Sequence, residues 1–196
     1  MNYHALHQQR TENILLSLKK LDYLNRYQIQ IMHNLKSPRN ANRVLNGLSE
    51  YVSSFRFGLE KIYYLNKAGR DRVQCTKIRK KTPNVQHYLL RNQFYIYKKY
   101  PSTWENEIKL TADKISVICD AEYKEFYNGM RCFVEVDISQ PMLVNKAKIE
   151  KYRKIKELTG ANFSLVWITE LESRRHKLMK LCEGLSGRVY TLNDII

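Results

Sequence analysis

Glycine and proline are scarce in this chain, at 7 and 4 of 196 residues. That shortage excludes collagen-like repeats and low-complexity linkers, and it argues against turn-rich all-β folds. Cysteine is sparse too. Cys75, Cys119, Cys132 and Cys182 contain no C-x-x-C pair and three sit inside apolar runs, so they read as reduced thiols rather than a disulfide frame or a zinc site. Long hydrophobic runs are missing: Ile115–Cys119 and Phe163–Ile168 are far too short to span a bilayer. Met1–Arg10 is polar and carries no signal-peptide apolar region, so the expected location is cytoplasmic with no membrane contact.

Acidic residues are nearly absent from one half only. Residues 1–100 hold 5 Asp/Glu against 19 Lys/Arg, whereas residues 101–196 hold 14 against 15. The net charge of +15 thus belongs almost wholly to the first hundred residues. Such asymmetry predicts two modules, the first of which meets a polyanion. With 43% hydrophobic residues the chain can build a core and is not a disordered basic tail.

The first module reads as helices, then a hairpin. Ile14, Leu15, Leu18 and Leu21 mark one helical face over 11–21. Asn25 is a candidate N-cap for a second helix over 25–35, with Ile29, Met32 and Leu35 inside. Ser37 and Pro38 suit the cap and first position of a third helix. Its inner face is Val44, Leu45 and Leu48; its outer face is Arg39, Asn40, Asn42, Arg43 and Asn46. Arg bonds guanine bidentately and Asn does the same with adenine, so this face has the chemistry of a reader of base edges. Residues 52–57 and 60–65 then alternate as strands around Gly58-Leu59, and Arg56 and Lys61 fall near the tip. The order helix, helix, helix, hairpin, helix over about residues 8–75 resembles winged helix-turn-helix DNA-binding domains. Ten of the 14 Tyr lie in the first hundred residues, mostly at core-like positions such as Tyr51 and Tyr63.

Residues 76–101 form a linker and joining helix, starting with the basic run Lys77–Lys81 and ending at Pro101. The second module, 102–196, reads as three strands (105–110, 115–122, 131–138), a helix (144–158), a buried strand (163–169), a helix (171–183) and a short strand (188–192). Asp120 interrupts an apolar run, and Glu135 and Asp137 alternate with Val134, Val136 and Ile138 so that both carboxylates share one strand face. Acids converging from neighbouring strands suit Mg or Mn, with Asp120 and Glu135 as candidate ligands. This half resembles the PD-(D/E)-x-K nuclease fold, with Cys119-Asp120 for Pro-Asp and Glu135-Val136-Asp137 for E-x-K. Asp137 stands where that pattern has its catalytic Lys; Lys146 or Lys148 on the next helix is the candidate substitute, and an inactive descendant is the other reading.

Over residues 8–192 the chain resembles the replication-relaxation family of plasmids, phages and integrative elements. The likeness rests on the winged-helix start, "VQHYLLRNQFYI" around His87, "VEVD" at 134–137 and "NKAKIEKYRKI" after it, although Ile138-Ser139-Gln140 follows the acidic strand where the family usually has Arg-Gly. The resemblance implies an α+β chain: an amino-terminal winged helix-turn-helix, then a mixed α/β domain like a degenerate nuclease. It further implies a double-stranded DNA-binding protein in mobile-element replication or mobilisation, or a transcriptional regulator, working as a homodimer with a replication or regulatory protein as a further partner. DNA binding of this kind requires no cofactor. The alternative is a metal-dependent DNA nickase or nuclease, the one case that calls for Mg or Mn. RNA binding stays open. A histidine–metal relaxase is disfavoured because no two His flank a single residue, and a tyrosine recombinase because no Arg…His-x-x-Arg array precedes a Tyr.

Overall fold

The computed structural model describes residues 3–196; residues 1 and 2, the start of the polar amino terminus, lie outside the described residues. The chain is α+β and divides into two compact units, residues 1–92 and 93–196.

The first unit opens with α1 (Tyr3–Leu21), whose Ile14, Leu15, Leu18 and Leu21 are buried at the spacing of one helical face. The helix begins earlier than the apolar pattern, because residues 5–10 are exposed and carry no buried face that a sequence pattern could register. It stops at Asp22, which adopts φ 71°. Arg91 and Asn92 donate to the Leu21 carbonyl at 3.0 and 2.9 Å, and so satisfy a helix end that would otherwise be buried without partners. The two-residue strand β1 (Leu24–Asn25) follows; it is too short to show a period. Asn25 then caps α2 (Arg26–Met32) in a capping box with Gln28, as its residue type predicts. Ser37 Oγ accepts from Asn40 N at 3.2 Å and Pro38 takes the first position of α3 (Pro38–Asn46).

Strands β2 (Val52–Phe57) and β3 (Glu60–Leu65) pair antiparallel around Gly58-Leu59, with β1 on the other side of β3. Gly58 has φ 57°, which the first position of a two-residue hairpin loop favours. Asn66 caps α4 (Lys67–Arg72), where Gly69 approaches Tyr51 so closely that a Cβ would lie 2.1 Å from its carbonyl oxygen. Tyr23, Ile62 and Val85 form a second small core with Phe55, Phe57, Tyr64 and Tyr88 around them, so most of these tyrosines are structural. Val85 opens α5 (Val85–Tyr97), whose early residues belong to the first unit and whose last five belong to the second.

The second unit is one five-stranded sheet: β4 (Glu105–Ala112), β5 (Ile115–Lys124), β6 (Arg131–Asp137), β7 (Phe163–Thr169) and β8 (Gly187–Thr191), in that spatial order. β4, β5 and β6 form an antiparallel meander, while β6, β7 and β8 run parallel. The parallel pairs are joined by α6 (Met142–Thr159) and α7 (Glu172–Leu181), and a short α8 (Leu192–Ile195) ends the chain. The three-strand meander, then helix, strand, helix and strand, is the order read from the sequence. β6 is buried at every residue but Arg131, as a central strand covered on both faces requires. Phe133, Leu165 and Trp167 meet Ile149, Tyr152, Ile155 and Leu178 of the helices in the main core. A second aromatic group holds Phe94, Trp104, Tyr123 and Tyr190, with Trp104 and Tyr123 stacked at 5.8 Å. Cys119 and Cys132 are buried and Cys75 and Cys182 half-buried, all as free thiols. Among the described residues no helix is long and apolar enough to cross a membrane.

Candidate nucleic-acid interface and buried carboxylate cluster

The turn between α2 and α3 is built to present the third helix. His33 ends α2, Asn34 and Lys36 take φ 48° and 60°, and Leu35 is buried between them. Asn40 Nδ2 donates to the Leu35 carbonyl at 2.9 Å, and Asn40 Oδ1 accepts from Arg43 at 3.0 Å. Asn40 therefore braces the turn and is half-buried, while Arg39, Asn42, Arg43 and Asn46 are exposed. Ala41 and Leu45 hold the opposite face in the core. His33 lies 3.1 Å from Ser17 Oγ, which itself donates to Asn13 O. The single hydroxyl proton goes to Asn13 O, so Ser17 Oγ accepts from His33 when the neutral ring carries its hydrogen on Nε2. Burial pushes the His33 value down to about 4, in keeping with that neutral ring.

On the hairpin, Arg56 and Lys61 are direct cross-strand neighbours, one step from the turn, and both are exposed. Like charges opposite one another oppose strand pairing. Lys61 lies over the Tyr63 ring at 5.5 Å. From Pro38 to Asn46 there is no acid, and Glu60 at the hairpin tip is occupied by Asn25 Nδ2 at 3.0 Å. The chemical capacity of this surface is that of a cationic, amide-bearing helix beside a cationic hairpin.

The acids of the second unit have a different setting. The β4–β5 ladder skips the Glu107–Asp120 pair, where Glu107 has φ 58°, and the β5–β6 ladder ends at Ala121–Val134. Past that point the strands part, and Asp120 Oδ2 accepts the Val136 N–H at 2.7 Å in place of a backbone carbonyl. Glu135, 1% exposed, accepts from Tyr152 OH at 2.5 Å and is paired with Lys148. Burial pushes the Glu135 carboxyl up, to about 8, and the Asp120 charge adds to the rise. For Lys148, burial works downward and the charges of Glu135 and Asp120 outweigh it, so its value rises. Both members of the pair thus hold protons more tightly than free side chains. Burial also drives Cys119 to about 12, which leaves an unreactive thiol beside them.

Asp137 shares the β6 face with Glu135 but points elsewhere in function. Its two oxygens accept from Arg174 at 2.5 and 2.8 Å, and Arg174 also bonds the Gln140 carbonyl at 2.6 Å. Of the five residues read as catalytic candidates, Asp120, Glu135 and Lys148 come together, Asp137 is tied to α7, and Lys146 is exposed on α6. Tyr152 and Arg174 complete the two clusters and were not singled out as site residues. Tyr152 shows in the sequence only as an inward residue of α6, and Arg174 lies 37 residues beyond its partner with no spacing rule to connect them.

A hard cation needs several free oxygen ligands. Here Glu135 and Asp137 each use both oxygens on protein donors, and Asp120 Oδ2 accepts from Val136 N. Among the described residues no three His, Cys, Asp or Glu side chains converge as a metal site would require. The arrangement does not fit a bound Mg or Mn.

Residues 15–164 match the family model described as replication-relaxation. A search of curated proteins gives no match. Among solved structures, the chain is similar to "Crystal structure of protein VC1899 from Vibrio cholerae", at 13% identity and a TM-score of 0.40, covering 92% of this chain and 52% of that one. The chain therefore spans about half of that protein's length.

Proposed function

The chain belongs to the replication-relaxation family, and from that premise we propose that it binds double-stranded DNA through its first unit, in the replication or mobilisation of a mobile genetic element. The observation that carries the reading is the outer face of α3, where Arg39, Asn42, Arg43 and Asn46 are exposed on a helix without acids. In the major groove, Arg39 and Arg43 are the candidates for guanine edges or phosphates, and Asn42 and Asn46 for adenine. Asn40 sets the helix position rather than reading a base. Arg56 and Lys61 on the hairpin reach the flanking backbone, so they position without specifying. Binding as a homodimer to a two-fold site belongs to the same reading, with a stoichiometry of two chains per site as its check.

The test is fluorescence anisotropy on duplex fragments across a salt series. Affinity should fall linearly in log–log form with a steep slope, and the Arg39→Ala/Arg43→Ala variant should have a slope lower by about one for each phosphate contact removed. An affinity indifferent to salt would overturn DNA binding; a double variant that binds as the parent does would overturn the assignment of α3. Selection of bound fragments from the host element then separates the two roles: a site beside an origin supports replication, and a site beside a promoter supports gene regulation.

A further inference from the structure

The second unit carries an open groove between the end of α5 with the turn that follows it and the β5–β6 hairpin. Its exposed apolar residues are aromatic rings. Phe126 and Tyr127 at the hairpin tip are 93% and 94% exposed and stand edge to face at 5.4 Å, and Tyr97 and Tyr100 across the groove are about two-fifths exposed. Lys99 and Tyr100 both adopt left-handed backbone, φ 57° and 61°, a costly conformation for two successive residues with side chains. Tyr100 meets Tyr95 edge-on at 5.7 Å in this conformation. Aromatic faces left open to solvent are unfavourable for the free protein unless something covers them.

The net charge at the groove is positive. Glu125 is its single acid, and Lys98 pairs with it at 2.8 Å while Tyr123 OH donates to it at 3.0 Å. Lys99 and Lys124 are exposed, and among the described residues neither has an ion-pair partner. Rings with free faces between cations are what single strands need: the bases stack and the backbone phosphates meet ammonium groups. A duplex offers no such faces, because its bases are already stacked. We propose that this groove binds single-stranded DNA, with bases on Phe126, Tyr127 and Tyr100 and phosphates at Lys99 and Lys124. The choice of DNA over RNA rests on the proposed role in replication, a process that exposes single strands of DNA. The groove shares no residue with the α3–hairpin surface, so either site can fail without the other.

The experiment uses the full chain and a labelled oligothymidylate of about 12 nucleotides, with a duplex as the second probe. Phe126→Ala/Tyr127→Ala should lose about tenfold or more in oligothymidylate affinity and leave duplex affinity unchanged. Phe126→Trp/Tyr127→Trp should keep the affinity, and its tryptophan fluorescence should be quenched on binding. Both positions are nearly fully exposed, so the variants keep the fold. Undiminished oligothymidylate binding by the alanine variant would overturn the proposal. So would loss of that binding in Arg39→Ala/Arg43→Ala alone, which would put the strand on α3. An oligouridylate bound more tightly than oligothymidylate would overturn the choice of DNA. Attachment to phosphatidylserine vesicles that depends on Phe126 and Tyr127, with no effect on the oligonucleotide, would make the groove a lipid contact instead.

Discussion

The two units use charge in opposite ways. The first carries 17 Lys and Arg against 5 Asp and Glu, and its functional candidates stand in solvent on α3 and the hairpin. The second is closer to balance, and the acids of β6 are sealed against α6 and α7. Exposed, unpaired charge adds little to folding and remains free to meet a ligand. Buried charge must be matched inside the protein, and once matched it is no longer open to one. The same residue types therefore mean different things in the two halves, and accessibility separates them.

The largest test of that contrast is on the buried side. Asp137→Ala strands the Arg174 guanidinium against the sheet and should cost about 3–5 kcal/mol of stability, read as a lowered denaturant midpoint. At temperatures where the variant is folded, duplex affinity should be unchanged. The mirror experiment, Arg39→Ala/Arg43→Ala, should leave stability within about 0.5 kcal/mol while duplex affinity falls. Swapped outcomes would break the comparison. A smaller effect joins the two properties: Ser37→Ala removes the α3 cap and should cost about 1 kcal/mol of stability with a modest loss of affinity, because α3 starts less firmly.

A finer test concerns pH. The folded Glu135 carboxyl is pushed up to about 8 by burial and by Asp120, above the ordinary glutamate value. The folded state binds that proton more tightly than the unfolded chain. The resulting stability is complete below the ordinary glutamate value and is lost as pH rises through about 8. Glu135→Gln removes the titration, so its unfolding temperature should decline less than the parent's over that window; equal slopes would show Glu135 to be ionised throughout. Last, supercoiled plasmid with Mg or Mn should stay unnicked, since the carboxylate oxygens are taken up by protein donors. Nicking that disappears in Asp120→Ala or Glu135→Ala would reverse that reading of the cluster.

Much of the fold was legible from local signals. Ser37-Pro38 fixes the start of α3, Asn25 that of α2, and Gly58-Leu59 the turn of the hairpin, because caps and turns are decided within a few residues. The succession of strands and helices in the second unit followed from the alternation in β4–β6 and the apolar run of β7, whereas their spatial order in the sheet did not. β1 and α8 escaped notice because two and four residues carry no period. The sites were less legible. Spacing put Glu135 and Asp137 on one strand face, and they are there, but it could not say that one would meet Lys148 and the other Arg174. Those partners come from separate helices whose placement depends on the whole sheet. Asn40 looked like a base reader by residue type, and its bonds to Leu35 and Arg43 depend on a turn geometry that residue type alone does not reveal.

The Arg174 clamp on Asp137 has a consequence for how this sequence can change. Replacing Asp137 by lysine would create an E-x-K pattern on β6 in one step. It would also set two cations side by side where Arg174 now finds both carboxylate oxygens at 2.5 and 2.8 Å. The neighbour on α7 would have to change as well, and either change alone leaves a charge without its counterpart. An E-x-K strand thus lies at least two substitutions away, and the pairing seen in the fold makes each single step costly.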